Sequence, residues 1–258
     1  MNTIIRVGLM AVLQLLLCLN VWAQDTTAAR ESAVKPLEYK ALNFNLQLKN
    51  MHLWRGYKVT STALTAVDAH YISRDGSFKA GFWGGAGFTG EYREFDYYAS
   101  YQKSGFNIAV WDINNFSDFP DADIFNYNPS STSHFIDVTL GYQFQNKFPL
   151  SISWSTIVQG RDTYLTSAGD RKNAYSHYVN LDYRLWQQGS ADLHAFVGGA
   201  FALGKEVHFY GKHPNIVNAG LSFNKELVLF NYRMPSAAMV MFSPEHKYGA
   251  IQISLNVF

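Results

Sequence analysis

Along most of the chain, apolar and polar residues alternate one for one. Leu42, Phe44, Leu46 and Leu48 are interleaved with Asn43, Asn45, Gln47 and Lys49. Successive side chains of an extended strand point to opposite faces, so this segment has one apolar and one polar face. The pattern returns at 136–144, 150–155, 178–185, 217–224 and 251–257, and more weakly at 63–72, 78–87, 92–101, 106–114, 192–203 and 227–233. Twelve strands follow, with ten or fourteen also compatible with the pattern. The connections sort by length. Those at 73–76, 102–105, 145–147, 187–190 and 224–226 are short and rich in turn formers, whereas those at 54–61, 115–132, 160–172, 204–215 and 235–246 are longer. Only 88–91 breaks the order. Short periplasmic turns alternating with long outer loops mark an antiparallel up-and-down transmembrane β-barrel. Hydrocarbon offers no partner to a free sheet edge, so such a sheet must close. An even strand count leaves both termini in the periplasm.

The first 23 residues read differently. Arg6 gives a positive start, residues 7–19 are largely apolar, and Val21-Trp22-Ala23 has the small residues that signal peptidase reads. This predicts a cleaved signal peptide over 1–23, then a flexible periplasmic segment over 24–40 and the barrel over 41–258. The apolar run is shorter than the ~20 residues a membrane helix needs. Cys18, the only cysteine, lies inside that run. The mature chain therefore has no disulfide framework, thiolate nucleophile or cysteine metal site. It would lose only Arg6 of 21 basic residues, which leaves them level with the 20 acidic ones. That balance argues against nucleic acid, whose footprint is a basic stripe. The C-terminal Phe258 is an aromatic end of the kind the barrel-assembly machinery reads, although it falls out of phase with Ile251, Ile253, Leu255 and Val257.

Three segments carry a family likeness. Leu53-Trp54-Arg55-Gly56, Lys79-Ala80-Gly81-Phe82-Trp83-Gly84-Gly85 and Glu94-Phe95-Asp96-Tyr97-Tyr98-Ala99-Ser100-Tyr101 together resemble the TorF family of porin-like proteins. The likeness is clearest over 42–114. It implies an outer-membrane barrel in a Gram-negative bacterium more strongly than it implies any substrate.

With the apolar faces toward lipid, the lumen collects Lys49, Lys79, Glu94, Asp96, Asp137, Asp182 and Arg184. Such residues either line a path for small solutes or pair into a salt-bridged interior that fills a narrow barrel. Trp54 and Arg55 fall near the outer rim, where Trp54 reads as an aromatic at headgroup depth. His208 and His213 share one loop and His246 lies in another, without the spacing of a zinc protease. His177 beside Ser176 cannot form a dyad, because strand neighbours face opposite ways. Asp118, Asp121 and Asp123 lack the glycine and terminal glutamate of a calcium loop. The expectation is therefore a non-enzymatic, porin-like channel for passive diffusion, without cofactor or metal. Its partners would be outer-membrane lipid, the assembly machinery and small solutes. The alternatives are a closed structural or adhesive barrel acting through its loops, and a membrane-embedded lipid hydrolase or acyltransferase.

Overall fold

The alternating segments become strands. In the computed structural model, which describes residues 39–119, 123–144, 148–203, 207–229 and 231–257, the first half holds β1 (Leu42–Lys49), β2 (His52–Trp54), β3 (Tyr57–Thr60), β4 (Leu64–Ile72), β5 (Phe78–Gly87), β6 (Arg93–Lys103), β7 (Phe106–Asn114) and β8 (His134–Gln143). The second half holds β9 (Leu150–Gly160), β10 (Thr163–Leu165), β11 (Arg171–Asn173), β12 (Ser176–Gln188), β13 (Ala191–Ala202), β14 (Asn215–Leu229), β15 (Tyr232–Ser243) and β16 (Tyr248–Asn256). The expected signal peptide, most of the 24–40 segment and Phe258 lie outside the described residues. Twelve strands close into one antiparallel barrel in the order β1, β4 to β9, β12 to β16 and back to β1. The pairs β2–β3 and β10–β11 are separate hairpins.

Turn chemistry sets the register on the short-turn rim. Lys103 pairs with Phe106 across Ser104 and Gly105, whose φ angles are 51° and 86°. Two consecutive positive φ values make the tight turn whose twist matches paired strands. In the turn after β4, the hydroxyls of Ser73 and Ser77 both donate to Asp75, at 2.6 and 2.8 Å. These bonds, Ser73 first, hold the Asp75 carboxyl down at about 2.

One expected pair of elements is redrawn. Residues 224–226, read as a turn, continue β14, and most of 235–246, read as a loop, is β15. The turn lies after Leu229, which pairs with Tyr232, and Asn231 takes φ 68°. Asn224 stays in the sheet because its amide donates to Asp192 at 2.7 Å. Pro235 is tolerated because β15 has there run past β16, whose pairing starts at Ser236. A missing N–H toward a free edge removes no ladder bond.

The closing seam is the least paired part of the wall. Strand pairing between β1 and β16 covers Gln47–Lys49 against Asn256, Leu255 and Ser254, with one backbone bond beyond it at each end, from the Val257 N–H to the Leu46 carbonyl at 2.8 Å and from the Asn50 N–H to the Ile253 carbonyl at 3.2 Å. Asn50 continues it with its side chain. Its Nδ2 donates to the Ile251 carbonyl at 3.0 Å, and its Oδ1 accepts from the Ile253 N–H at 2.7 Å. Beyond Asn50 the chain leaves the wall. Leu53 N–H donates to Gln252 Oε1 at 2.8 Å, and β2–β3 heads into the lumen.

Candidate functional site

The tip of the β2–β3 hairpin is Trp54-Arg55-Gly56-Tyr57. Trp54 pairs with Tyr57, and Arg55 and Gly56 take φ angles of 44° and 89°. This is the same two-residue turn chemistry as Ser104-Gly105, here aimed inward. In the strand order, β8 and β9 stand on the wall opposite β1. Arg55 reaches them. Its Nη1 and Nη2 donate to Asp137 at 2.6 and 2.9 Å, and further bonds run to Ser155 Oγ and the Tyr210 hydroxyl, both at 2.8 Å. The guanidinium also lies over the rings of Trp54 and Tyr178, at 4.8 and 5.0 Å. A planar fork bonded at both nitrogens is the strong form of an arginine–carboxylate pair.

Two bulges shape the landing place. Between β8 and β9 the register shifts at Ile136/Asp137, and between β13 and β14 at Gly198/Gly199. The second leaves Val217 outside the ladder, with its carbonyl against Gly56. A Cβ at position 56 would stand 2.4 Å from that oxygen. Only glycine fits, both for space and for φ. Around the tip, Ile113, Phe135, Ile157, Tyr178, Tyr210 and Val217 form a buried cluster with Trp54, Tyr57, Trp111 and Phe209 packed on it. The long-loop half of the lumen thus has an aromatic core that alternation alone does not reveal.

The longer loops also hold the hairpin. Tyr57 donates its hydroxyl to the Phe209 carbonyl, and the Tyr248 hydroxyl donates to the Gly56 carbonyl at 2.7 Å. Ser176 Oγ donates to Asp162 at 2.8 Å and accepts the Phe209 N–H at 2.7 Å. Burial pushes the Asp162 carboxyl up, against the pull of the Ser176 N–H and hydroxyl.

The lumen is hollow on both sides of the latch. An outer cavity, so named for the long-loop rim it faces, measures about 950 Å³ and is lined by Lys49, Trp83, Glu94, Asp96, Asp137 and Arg161 among others. An inner cavity of about 820 Å³ is lined by the turns at 75–77 and 102–105 with Asn107, Ser153 and Asn180. On β8 the outer cavity ends at Thr139 and the inner begins at Gly141, the next residue on that face. Arg55 lies at that level, 3.4 Å from Thr139 Oγ1.

The seven residues expected in the lumen occupy the polar face of their strands and fall into two groups. Lys49, Glu94, Asp96 and Asp137 line the outer cavity. Elsewhere, Lys79 pairs with Asp68 at 3.1 Å, and Asp182 holds His194 at 2.5 Å, beside Arg184 in the ladder. Trp54 and Arg55 depart from expectation. Trp54 is no headgroup aromatic: it packs inside against Phe135 and Tyr210, with ring centres 5.7 Å away in each case. A two-residue turn and an inner-face carboxylate in need of a partner, Asp137, were the sequence signals for this latch.

Among the histidines, His208 Nε2 contacts the His213 carbonyl at 2.9 Å, and His246 packs against Tyr57 with tilted rings 4.8 Å apart. Among the described residues no group of histidine and carboxylate is arranged to hold a metal ion. Ser176 and His177 face opposite ways, His177 turning out to Thr156 and Trp154. Asp118 lines the outer cavity, while Asp121 lies outside the described residues.

The exterior decides the setting. Leu42, Phe44, Phe82, Leu140, Trp154, Leu181, Leu185 and Leu221 all point outward and are exposed. Burying one such side chain is worth about 1.5–3 kcal/mol, so a continuous belt of them is out of place in water and at home in lipid. This is an outer-membrane type of β-barrel. In structure it is similar to the NanC porin, at 5% identity over 84% of this chain and 100% of that one, with a TM-score of 0.49. It is also similar to the translocator domain of the autotransporter NalP from Neisseria meningitidis, at 12% identity over 85% and 88%, with a TM-score of 0.41. No protein-family model matches the chain, and no curated protein matches it in sequence. The TorF resemblance therefore rests on the motifs within 42–114 alone.

Proposed function

We propose that the chain is a porin-like channel of the outer membrane through which small solutes diffuse passively, its bore narrowed by the Arg55 hairpin. The carrying observation is the pair of cavities, one on each side of the Arg55 level, with a lining of charged and polar side chains. Selection would come from width and lining charge, without a covalent step. Proteoliposome swelling tests this: a pentose should enter and a tetrasaccharide should not. Equal exclusion of both, from vesicles shown to hold folded barrel, would sink the proposal.

A second reading has its own support. The bidentate Arg55–Asp137 contact and the aromatic packing around it favour a closed barrel that acts through its outer loops. The same swelling assay separates the two. The lipid-hydrolase reading gains less support. His134 Nδ1 meets Asp112 at 2.8 Å in an acid–base arrangement, but its buried Nε2 has no hydrogen-bond partner and so no hydroxyl to activate.

A further inference from the structure

Charges in most of the lumen are matched by contact. Arg55 meets Asp137 at 2.6 Å, Lys79 meets Asp68 at 3.1 Å, and His194 lies between Asp182 and Asp192 at 2.5 and 3.2 Å. The outer cavity is different. Lys49 and Arg161 line it together with Glu94 and Asp96, and among the described residues none of these four forms an ion pair within 4.0 Å. Lys49 Nζ lies over the Trp83 ring at 5.3 Å. Arg161 lies over Phe135 and Phe209, at 5.2 and 5.7 Å, with its Nε buried and unpartnered. Glu94 accepts from Asn115 Nδ2 at 2.7 Å, the almost fully buried Asp96 accepts from the Asn114 N–H at 3.0 Å, and the two carboxyls hydrogen-bond each other through a shared proton, so that together they present one negative charge to the cavity.

Sheltered charges of both signs facing one cavity, yet held apart, are costly unless something bridges them. A simple anion would suit Arg161 and Lys49 but meet Glu94 and Asp96. A simple cation faces the reverse problem, and a neutral sugar leaves both signs without a counter-charge. A solute with an ammonium group at one end and a carboxylate at the other matches both. The size fits, since ligand pockets run to about 300–1,000 Å³. Trp83, Trp111 and Phe135 add flat walls for an ammonium or an apolar side chain. We propose that the outer cavity binds small zwitterions, namely amino acids and short peptides with free ends. This deepens the channel reading and rests on a lumen reached from outside.

Calorimetry on the refolded barrel in detergent tests it, with folding checked by heat-shifted gel mobility. The probes are phenylalanylglycine and its N-acetylated and C-amidated forms. The free peptide should bind saturably, and each cap should weaken it about tenfold, the cost of one charge-assisted bond. Glu94→Gln should become indifferent to the acetyl cap, and Arg161→Gln to the amide cap. Absence of saturable heat with the free peptide, or equal binding of capped and free forms, overturns the site using the native chain alone. Conductance of the same preparation separates this from the channel reading. Open-channel steps without binding remove the site only, and saturable binding without steps removes the channel only.

Discussion

Replacing Arg55 with alanine removes the group that ties the hairpin to the far wall. The variant loses both bonds to Asp137 and those to Ser155 and Tyr210, and strands a carboxylate whose side chain is 1% exposed. Breaking a buried pair from one side costs about 3–5 kcal/mol. Asp137 keeps the Thr139 hydroxyl at 3.0 Å, which argues for the lower end, about 3 kcal/mol. With a urea slope near 2 kcal/mol/M, the unfolding midpoint should fall by about 1.5 M. Removing both charges behaves differently. Arg55→Met with Asp137→Leu strands no charge and leaves only the Tyr210 hydroxyl without its partner, so its midpoint should lie above that of either single variant. The assay is urea unfolding of the refolded barrel in lipid vesicles, followed by tryptophan fluorescence, with Trp54 as a reporter at the site. An unmoved midpoint in Arg55→Ala, or a double variant that loses the full sum of the singles, would refute the latch.

Three further outcomes follow from particular contacts. Gly56→Ala places a Cβ 2.4 Å from the Val217 carbonyl at φ 89°, so the hairpin should lift from the bulge and cleavage within 52–60 should speed up under limited proteolysis. Asn50→Ala removes both side-chain bonds that extend the seam. It should cost about 1–3 kcal/mol and lower the temperature at which gel mobility shifts, whereas Gln252→Ala, which frees one N–H, should cost less. Glu245, in the loop after β15, is held below the ordinary glutamate range by Asn215 Nδ2 and then by the Lys212 N–H. A depressed folded value means that its support for the 207–214 loop is complete above the ordinary range and fades as pH falls through its own lower value. Proteolysis of that loop should rise over this acid window in the native chain and stay level in Glu245→Gln; parallel curves would remove Glu245 from the account.

The wall was legible because lipid on one side and a polar lumen on the other impose strict alternation. The strand over 106–114 was read to the residue, and that over 78–87 likewise. Reading failed where other forces govern. Asn224, Lys225 and Glu226 look like a turn, but they continue a hairpin that outruns its neighbours, where polar side chains cost nothing on a strand. The low-contrast run of 235–242, with its proline and paired alanines, hid β15. The latch was missed for a geometric reason. Alternation says which face of a strand is wet, but it cannot say that a loop turns inward, nor that two bulges shift Asp137 and Val217 to receive it. The charged residues of the lumen were found as a set, whereas their division into contact pairs and separated charges depends on depth along the barrel, which pattern does not encode.

A channel narrowed by a latched hairpin is tested most directly by single-channel conductance in a planar lipid bilayer. The native barrel should give small discrete steps, Arg55→Ala should give larger ones, and neutralising Glu94 and Asp96 should shift ion selectivity. Silence from both the native chain and Arg55→Ala, each shown to be folded, would contradict the claim.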